Sequence, residues 1–293
     1  YTYYTGQSRG FLCMPRPEVM GHMLASNNIG LHICRQVISD SWMHVLATKT
    51  LTDDCYVSNK TRERGYTIPL YLSAKSSSQQ DFFNQQTTSV DNHVYTPNLA
   101  LTFIKDTEDK LKLCFDASKK EDSFSAAEIF YYLYALLFSP TYRTRYAEFL
   151  KIDFPRLPLT SNPELFRELC NLGEELVGLH LLEKHPPVKT AFPQPGDGLV
   201  ETVRYTEPGE GSDKGRVWIS KAQYFEGVAP EVWNFHIGGY QVCQKWLKDR
   251  KGRQLTYDDI THYQHIVAAL EATIRLMAEI DAAIDAHGGW PLQ

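Results

Sequence analysis

"SFSAAEIFYYLYALLFSPTYRTRYAEFL", residues 123–150, is where the chain changes character. Ser125 and Glu128 stand three apart ahead of an apolar run, the pattern of a capping box. Ile129, Tyr132, Leu133, Leu136 and Leu137 follow at helical spacing. Ser139 then reads as an N-cap with Pro140 in the first helical position, so one helix stops and another begins. On the second helix Tyr142, Tyr146, Phe149 and Leu150 are expected to face inward, and Arg143 and Arg145 to fall away from them.

Upstream the pattern is different. "GLHICRQVI" (30–38), "WMHVLATKTL" (42–51) and "YTIPLYLS" (66–73) are short β-branched or aromatic runs between polar turns, which predicts strands. Residues 75–98, "KSSSQQDFFNQQTTSVDNHVYTPN", read as a long polar loop, and "TEDK" (107–110) as a surface turn. Downstream, "FPRLPL" (154–159) is an extended link. Ser161 with Glu164 is expected to cap a helix with the stripe Leu165, Leu169, Leu172, Leu176 and Leu179, which "HPP" (185–187) stops. "LVETVRYT" (199–206) and "RVWIS" (216–220) predict a hairpin, and "APEVWNFHIGG" a further strand. Residues 240–249 predict a short helix. Thr256 and Asp259 then cap a final helix of about 40 Å over 257–284. The fold class is α+β. Its parts are a β-rich third (1–122), a helical part (123–186), and a small sheet with a short and a long helix (187–293), separate or intertwined.

Apolar content of 43% and charged content of 22% fit a folded protein able to bury a sizeable core. The net charge of −5 argues against a basic field over the whole surface but leaves room for a local patch. Six dispersed cysteines without a C-x-x-C pair read as reduced, cytosolic fillers. No apolar run approaches the roughly 18 residues of a membrane span, and no signal peptide is evident. Tyr1 opens within the aromatic run "YTYY", which reads as the start of a piece cut from a longer protein.

Motifs for chemistry are missing from the sequence. There is no G-x-x-x-x-G-K-[ST], no G-x-G-x-x-G and no G-x-S-x-G. His262 and His265 stand three apart near Asp258 and Asp259, a spacing compatible with a metal. It is better read as a polar helix face whose acids favour the N-terminal dipole. His180 and His236 read as packed or solvated, not catalytic. What remains is recognition. "VWNFHIGGYQVCQKWLKDRKGR" (232–253) carries Lys245, Lys248, Arg250, Lys251 and Arg253 against the single acid Asp249. Such residues bind phosphate, and the N–H groups of the Gly238-Gly239 turn are candidate phosphate donors beside them. Gln79, Gln80, Asn84, Gln85 and Gln86 of the polar loop, with Arg62 and Arg64 of "NKTRERG" (59–65), are candidate readers of base edges. Three readings stay open on the residues alone: DNA binding, a structural module that packs against neighbouring domains, and an enzymatic module holding a cofactor phosphate at Gly238-Gly239.

"TYYTGQSRGFLCMPRPEVMGHM" (2–23), "AEIFYYLYALLFSPTYRTRYAEFLKIDFPRLPL" (127–159) and residues 232–253 continuing into "LTYDDITHYQHIVAALEATIRLMAEID" resemble one family. It is the C-terminal part of type ISP restriction–modification enzymes and related large DNA adenine methyltransferases. The resemblance covers most of the chain, least clearly 75–120 and 186–230. It implies a target-recognition domain for double-stranded DNA. It also implies a parent polypeptide with methyltransferase, coupler, ATPase and nuclease domains. The family's Gly-rich cofactor loop, its Asn-Pro-Pro-Tyr motif and Walker motifs do not occur here. The expectation is therefore no catalysis in this chain. S-adenosylmethionine, ATP and Mg are expected to be held elsewhere in a cytoplasmic parent.

Overall fold

The computed structural model describes residues 17–24, 28–60, 62–75, 93–116, 122–209 and 214–292. Helix α1 (Pro17–Leu24) precedes a three-stranded antiparallel sheet. In it β1 (Gly30–Cys34) lies between β2 (Val45–Thr48) and β3 (Gly65–Pro69). Beyond Leu70, β4 (Tyr71–Lys75) pairs antiparallel with β5 (His93–Pro97), with Lys75 opposite His93. The ends of the expected 75–98 loop are thus strands. Gln79, Gln80, Asn84, Gln85 and Gln86 lie outside the described residues.

The first third also contains α2 (Leu101–Leu111), where a turn was expected at 107–110. Only Thr107 and Leu111 are buried on it, so its apolar stripe is too thin to show in a charged sequence. Two-residue strands β6 (Cys114–Phe115) and β7 (Ser123–Phe124) pair in parallel and lead into the helices.

Helix α3 (Ala126–Phe138) starts at the capping box Ser125/Glu128 and is buried on nearly every side. Ser139 caps α4 (Pro140–Arg145), and a break at Tyr146 separates it from α5 (Ala147–Ile152). Two expectations are reversed here, one on each side of the break. Phe149 is 69% exposed, while Arg143 is buried. Its Nε donates to the Leu137 carbonyl at 2.6 Å, and its guanidinium lies 4.5 Å from the centre of the Phe138 ring. Burial lowers its pKa to about 10.

Asn162, not Ser161, caps α6 (Pro163–His180), because Pro163 occupies the first helical position and the cap must precede it. The helix ends well before the prolines at 186–187. The Glu183 and Lys184 N–H groups fold back onto the Gly178 carbonyl. Gly173 lets α3 and α6 touch closely, since a Cβ there would lie 1.9 Å from the Tyr131 carbonyl oxygen.

In the last third, β8 (Arg204–Thr206), β9 (Gly215–Trp218) and β10 (Tyr224–Val228) form an antiparallel sheet in the order β10-β9-β8. The strand expected over 229–239 is instead a short helix, α7 (Pro230–Trp233), then a minimal hairpin of β11 (His236–Ile237) and β12 (Tyr240–Gln241). Pro230 lacks the N–H a ladder needs and suits a helix start. Helix α8 (Val242–Lys248) follows. Thr256 and Asp259 then form a capping box for α9 (Tyr257–Ala286), 30 residues and about 45 Å long.

Helix α9 serves two cores. Tyr263, Val267 and Leu270 pack with Val217, Phe225, Val232 and Leu247 of the last third. Leu276, Ile280 and Ile284 pack with α3, α6 and the first sheet. Among the described residues, no helix is long and apolar enough to cross a membrane.

Candidate nucleic-acid interface

The β11–β12 hairpin joins the two ends of the chain. Gly238 donates its N–H to the Met43 carbonyl at 2.7 Å, and Gly239 to Val57 at 3.0 Å. Gly238 has φ +56°, and a Cβ there would lie 1.9 Å from the Val57 carbonyl oxygen, so only glycine fits. Both donors are therefore engaged with protein carbonyls. Neither is left for a DNA phosphate or a cofactor phosphate, which removes the contact expected of the Gly238-Gly239 turn.

Helix α8 grows directly from this joint. Cys243 and Leu247, four apart, are buried on one face. Trp246 packs against Tyr263 of α9 with ring centres 5.3 Å apart. The basic residues are held in different ways. Lys245 pairs with Asp249 and lies 5.2 Å from the centre of the Tyr240 ring. Arg250 stacks on Trp246 at 3.5 Å, donates to its carbonyl, and reaches Asp259 at 3.5 Å. Backbone and side-chain donors from Thr256, against a smaller burial effect, and Arg250 hold the Asp259 carboxyl below its ordinary range. Lys248 bonds Gln244 at 2.7 Å. Lys251 and Arg253 are exposed and have no side-chain partner among the described residues.

The second basic segment is the loop 58–64. Lys60, Arg62 and Arg64 are exposed on it. Arg64 pairs with Asp54, while Arg62 has no ion pair among the described residues. Between them Glu63 points inward and is fully buried. Its Oε1 accepts from Ile38 N, Ser39 N and Ser39 Oγ, each at 2.8 Å. Its Oε2 accepts from Ser58 Oγ and from His44 Nε2 at 3.1 Å. Burial raises its pKa, but the donors on Ser58, Ser39 and Ile38 outweigh burial and bring it to about 2.

A cleft of about 920 Å³ lies between the stretch that leads into this loop and the start of α8, and its walls include Asp53, Tyr56, Val57, Tyr240, Lys245, Trp246, Asp249 and Arg250. His180, at its floor, is part of a polar chain across four elements. Ala47 N–H donates to the Tyr134 hydroxyl at 3.1 Å, and that hydroxyl donates to His180 Nδ1 at 2.7 Å. His180 Nε2–H donates to Thr273 Oγ1 at 3.0 Å, which donates to the Ala269 carbonyl. Burial depresses the His180 pKa to about 3, so the ring is neutral.

His262 and His265 diverge. The first lies by Trp246, ring centres 5.7 Å apart, and the second by His185 at 5.0 Å. His236 is exposed and bonds the Asn234 carbonyl.

Residue type alone marks Arg62, Lys248, Lys251 and Arg253 as candidates, and all four are exposed. It missed Glu63, hidden inside a run of charges, and its partner His44.

Residues 1–279 match the family model of the Type ISP C-terminal specificity domain. No curated protein sequence matches the chain. Among solved structures the chain is similar to an ATP-dependent Type ISP restriction-modification enzyme, LlaBIII, bound to DNA. The TM-score is 0.59 at 14% identity, over 92% of this chain and 16% of that one. It is also similar to DrdV in a DNA complex, with TM-score 0.62 at 19% identity, over 90% of this chain and 25% of that one. A nuclease-deletion mutant of the Type ISP enzyme LlaGI, in complex with a DNA substrate mimic, gives TM-score 0.54 at 18% identity, over 92% and 22%. At these identities the likeness is one of fold. The chain corresponds to a quarter or less of each of those enzymes.

Proposed function

The chain belongs to the family of Type ISP C-terminal specificity domains, and on that premise we propose that it recognises the target sequence of double-stranded DNA for a larger restriction–modification enzyme. The observation that carries this reading is the joint at Gly238 and Gly239. It places the roots of two basic segments, far apart in sequence, side by side at one cleft. Lys248, Lys251 and Arg253 would bind phosphates, and Arg62 would reach base edges. Lys245 and Arg250, already paired, would contribute less. This division reconciles DNA binding with a net charge of −5, since only one face need be basic.

In this reading catalysis lies outside the chain. A methyltransferase domain of the same cytoplasmic polypeptide would use S-adenosylmethionine, and ATP and Mg would serve its motor and nuclease domains. The chain would dock on the methyltransferase and coupler domains. A separate face supports that contact: Ile38, Phe149 and Ile152 are exposed, and Val37 N–H bonds the Lys151 carbonyl, which brings their segments together.

The test is duplex binding by the parent polypeptide at several salt concentrations, with Lys248, Lys251 and Arg253 replaced together by alanine. The slope of log affinity against log salt should fall by about 0.9 for each phosphate no longer neutralised, so up to about 2.7. An unchanged affinity and slope would show that these residues do not lie on DNA.

A further inference from the structure

Glu63 is an unusual choice for a fully buried position. Among the described residues no cation neutralises it in direct contact, the nearest being Lys60 Nζ at 4.0 Å on the rim. Its charge is met by neutral donors, and His44 is one of them. The Met43 N–H donates to His44 Nδ1 at 3.3 Å, which leaves the ring's proton on Nε2, facing Glu63. For stability alone, an apolar side chain of similar size does as well as a buried charge. What a fully satisfied buried carboxylate supplies is one fixed arrangement of the groups that bind it.

Those groups come from separate segments, which the buried carboxylate ties together. Ile38 and Ser39 belong to the loop after β1, and Ser58 opens the loop that Glu63 closes. Lys60 Nζ bonds Ser39 Oγ at 2.9 Å across the top. Cys34 Sγ donates to the Glu63 carbonyl at 3.2 Å from below. Met43, next to His44, accepts the Gly238 N–H, so the clamp is continuous with the root of α8. Arg62, immediately before Glu63, is exposed.

We propose that Glu63 is a positioning residue for DNA sequence discrimination: it locks the loops 35–41 and 58–64 together so that Arg62 meets a base edge in one geometry. This rests on the DNA-recognition reading above. A bidentate contact between guanidinium and base needs both N–H groups aligned at once, and a loop free to shift cannot keep them so. Phosphate contacts tolerate such shifts better. The clamp therefore acts on the difference between correct and incorrect sequences, and little on overall adhesion.

The experiment uses the parent polypeptide with two duplexes of equal length. One holds the site defined by mapping methylated adenines in the source genome, and the other holds that site scrambled. Glu63→Gln keeps the shape but turns an N–H₂ toward existing donors. It should lower the ratio of site to scrambled affinity tenfold or more, leaving scrambled affinity and its salt slope unchanged. Arg62→Ala should do the same. Lys251→Ala with Arg253→Ala should weaken both duplexes equally and keep the ratio. If Glu63→Gln does not fold, Ser39→Ala and Ser58→Ala take its place, each removing part of the clamp, with thermal unfolding run alongside. A ratio unmoved in folded Glu63→Gln, or in both serine variants, overturns the clamp while Arg62 and the basic residues can still bind DNA. A wild-type enzyme that binds neither duplex in a salt-dependent way overturns the DNA reading itself, and the clamp with it.

Discussion

The two cores that share α9 are built from different materials. The first is threaded with buried polar chains. These include Glu63 with His44, the run from Ala47 through Tyr134 and His180 to Thr273, and His32 held by Thr52 and Thr67. The second is mostly dry: Val217, Ile219, Phe225, Val228, Leu247 and Val267 are closed by the rings of Tyr263 and Trp246. A dry core holds by burial and tolerates small shifts, while a polar core holds only where each donor meets its acceptor. The contrast suggests a division of labour. The dry core anchors the helix whose basic tail would supply adhesion, and the polar core fixes loops that need exact placement.

The largest effect should come from attacking the dry core. Phe225→Ala removes a fully buried ring and should cost about 3–5 kcal/mol in a urea titration. A loss below about 1 kcal/mol would mean this core contributes little and the contrast fails. Next comes the joint between the cores. Gly238→Ala places a Cβ against the Val57 carbonyl at a left-handed φ and should cost on the order of 2–3 kcal/mol. The loss should fall on both cores together, seen as a single shifted unfolding transition. Tyr134→Phe leaves the Ala47 N–H and one nitrogen of His180 without their partner and should cost about 1–3 kcal/mol, with no cavity.

The smallest effect is a response to acid. Burial depresses His32 to about 4 and His180 to about 3, and it also lowers His44. Below the ordinary value of 6.5 the unfolded chain takes up protons that the folded chain refuses. Stability is therefore full above that value and falls as pH drops from 6.5 toward 3. Melting temperature should drop by a few degrees between about pH 7 and about pH 5.5. Hydrogen exchange should show the first core opening ahead of the second. A uniform response would mean the polar chains are not what acid attacks.

Helices with local punctuation were readable from the chain. The pairs Ser125 with Glu128 and Thr256 with Asp259, and Ser139 before Pro140, are contained within four residues and form as expected. The sheet at 30–69 was readable because its runs are apolar and bounded by turns. Helix α2 was not, because it buries only two side chains. The inward position of Arg143 was not either, since its partners, the Leu137 carbonyl and the Phe138 ring, are brought to it by the turn between α3 and α4 and not by residue type. At the proposed interface the basic residues were visible by type. Glu63 was not, because its donors at 38, 39 and 44 lie 19 to 25 residues away and only the folded chain brings them together.

Helix α9 contains neither proline nor glycine between Tyr257 and Ala286, the residues at which helices usually kink. It therefore works as a gauge block. The anchor points of the two cores are set apart by a fixed number of helical turns, and no hinge lies between them. The spacing of the two cores changes only if whole turns are added to or removed from this helix.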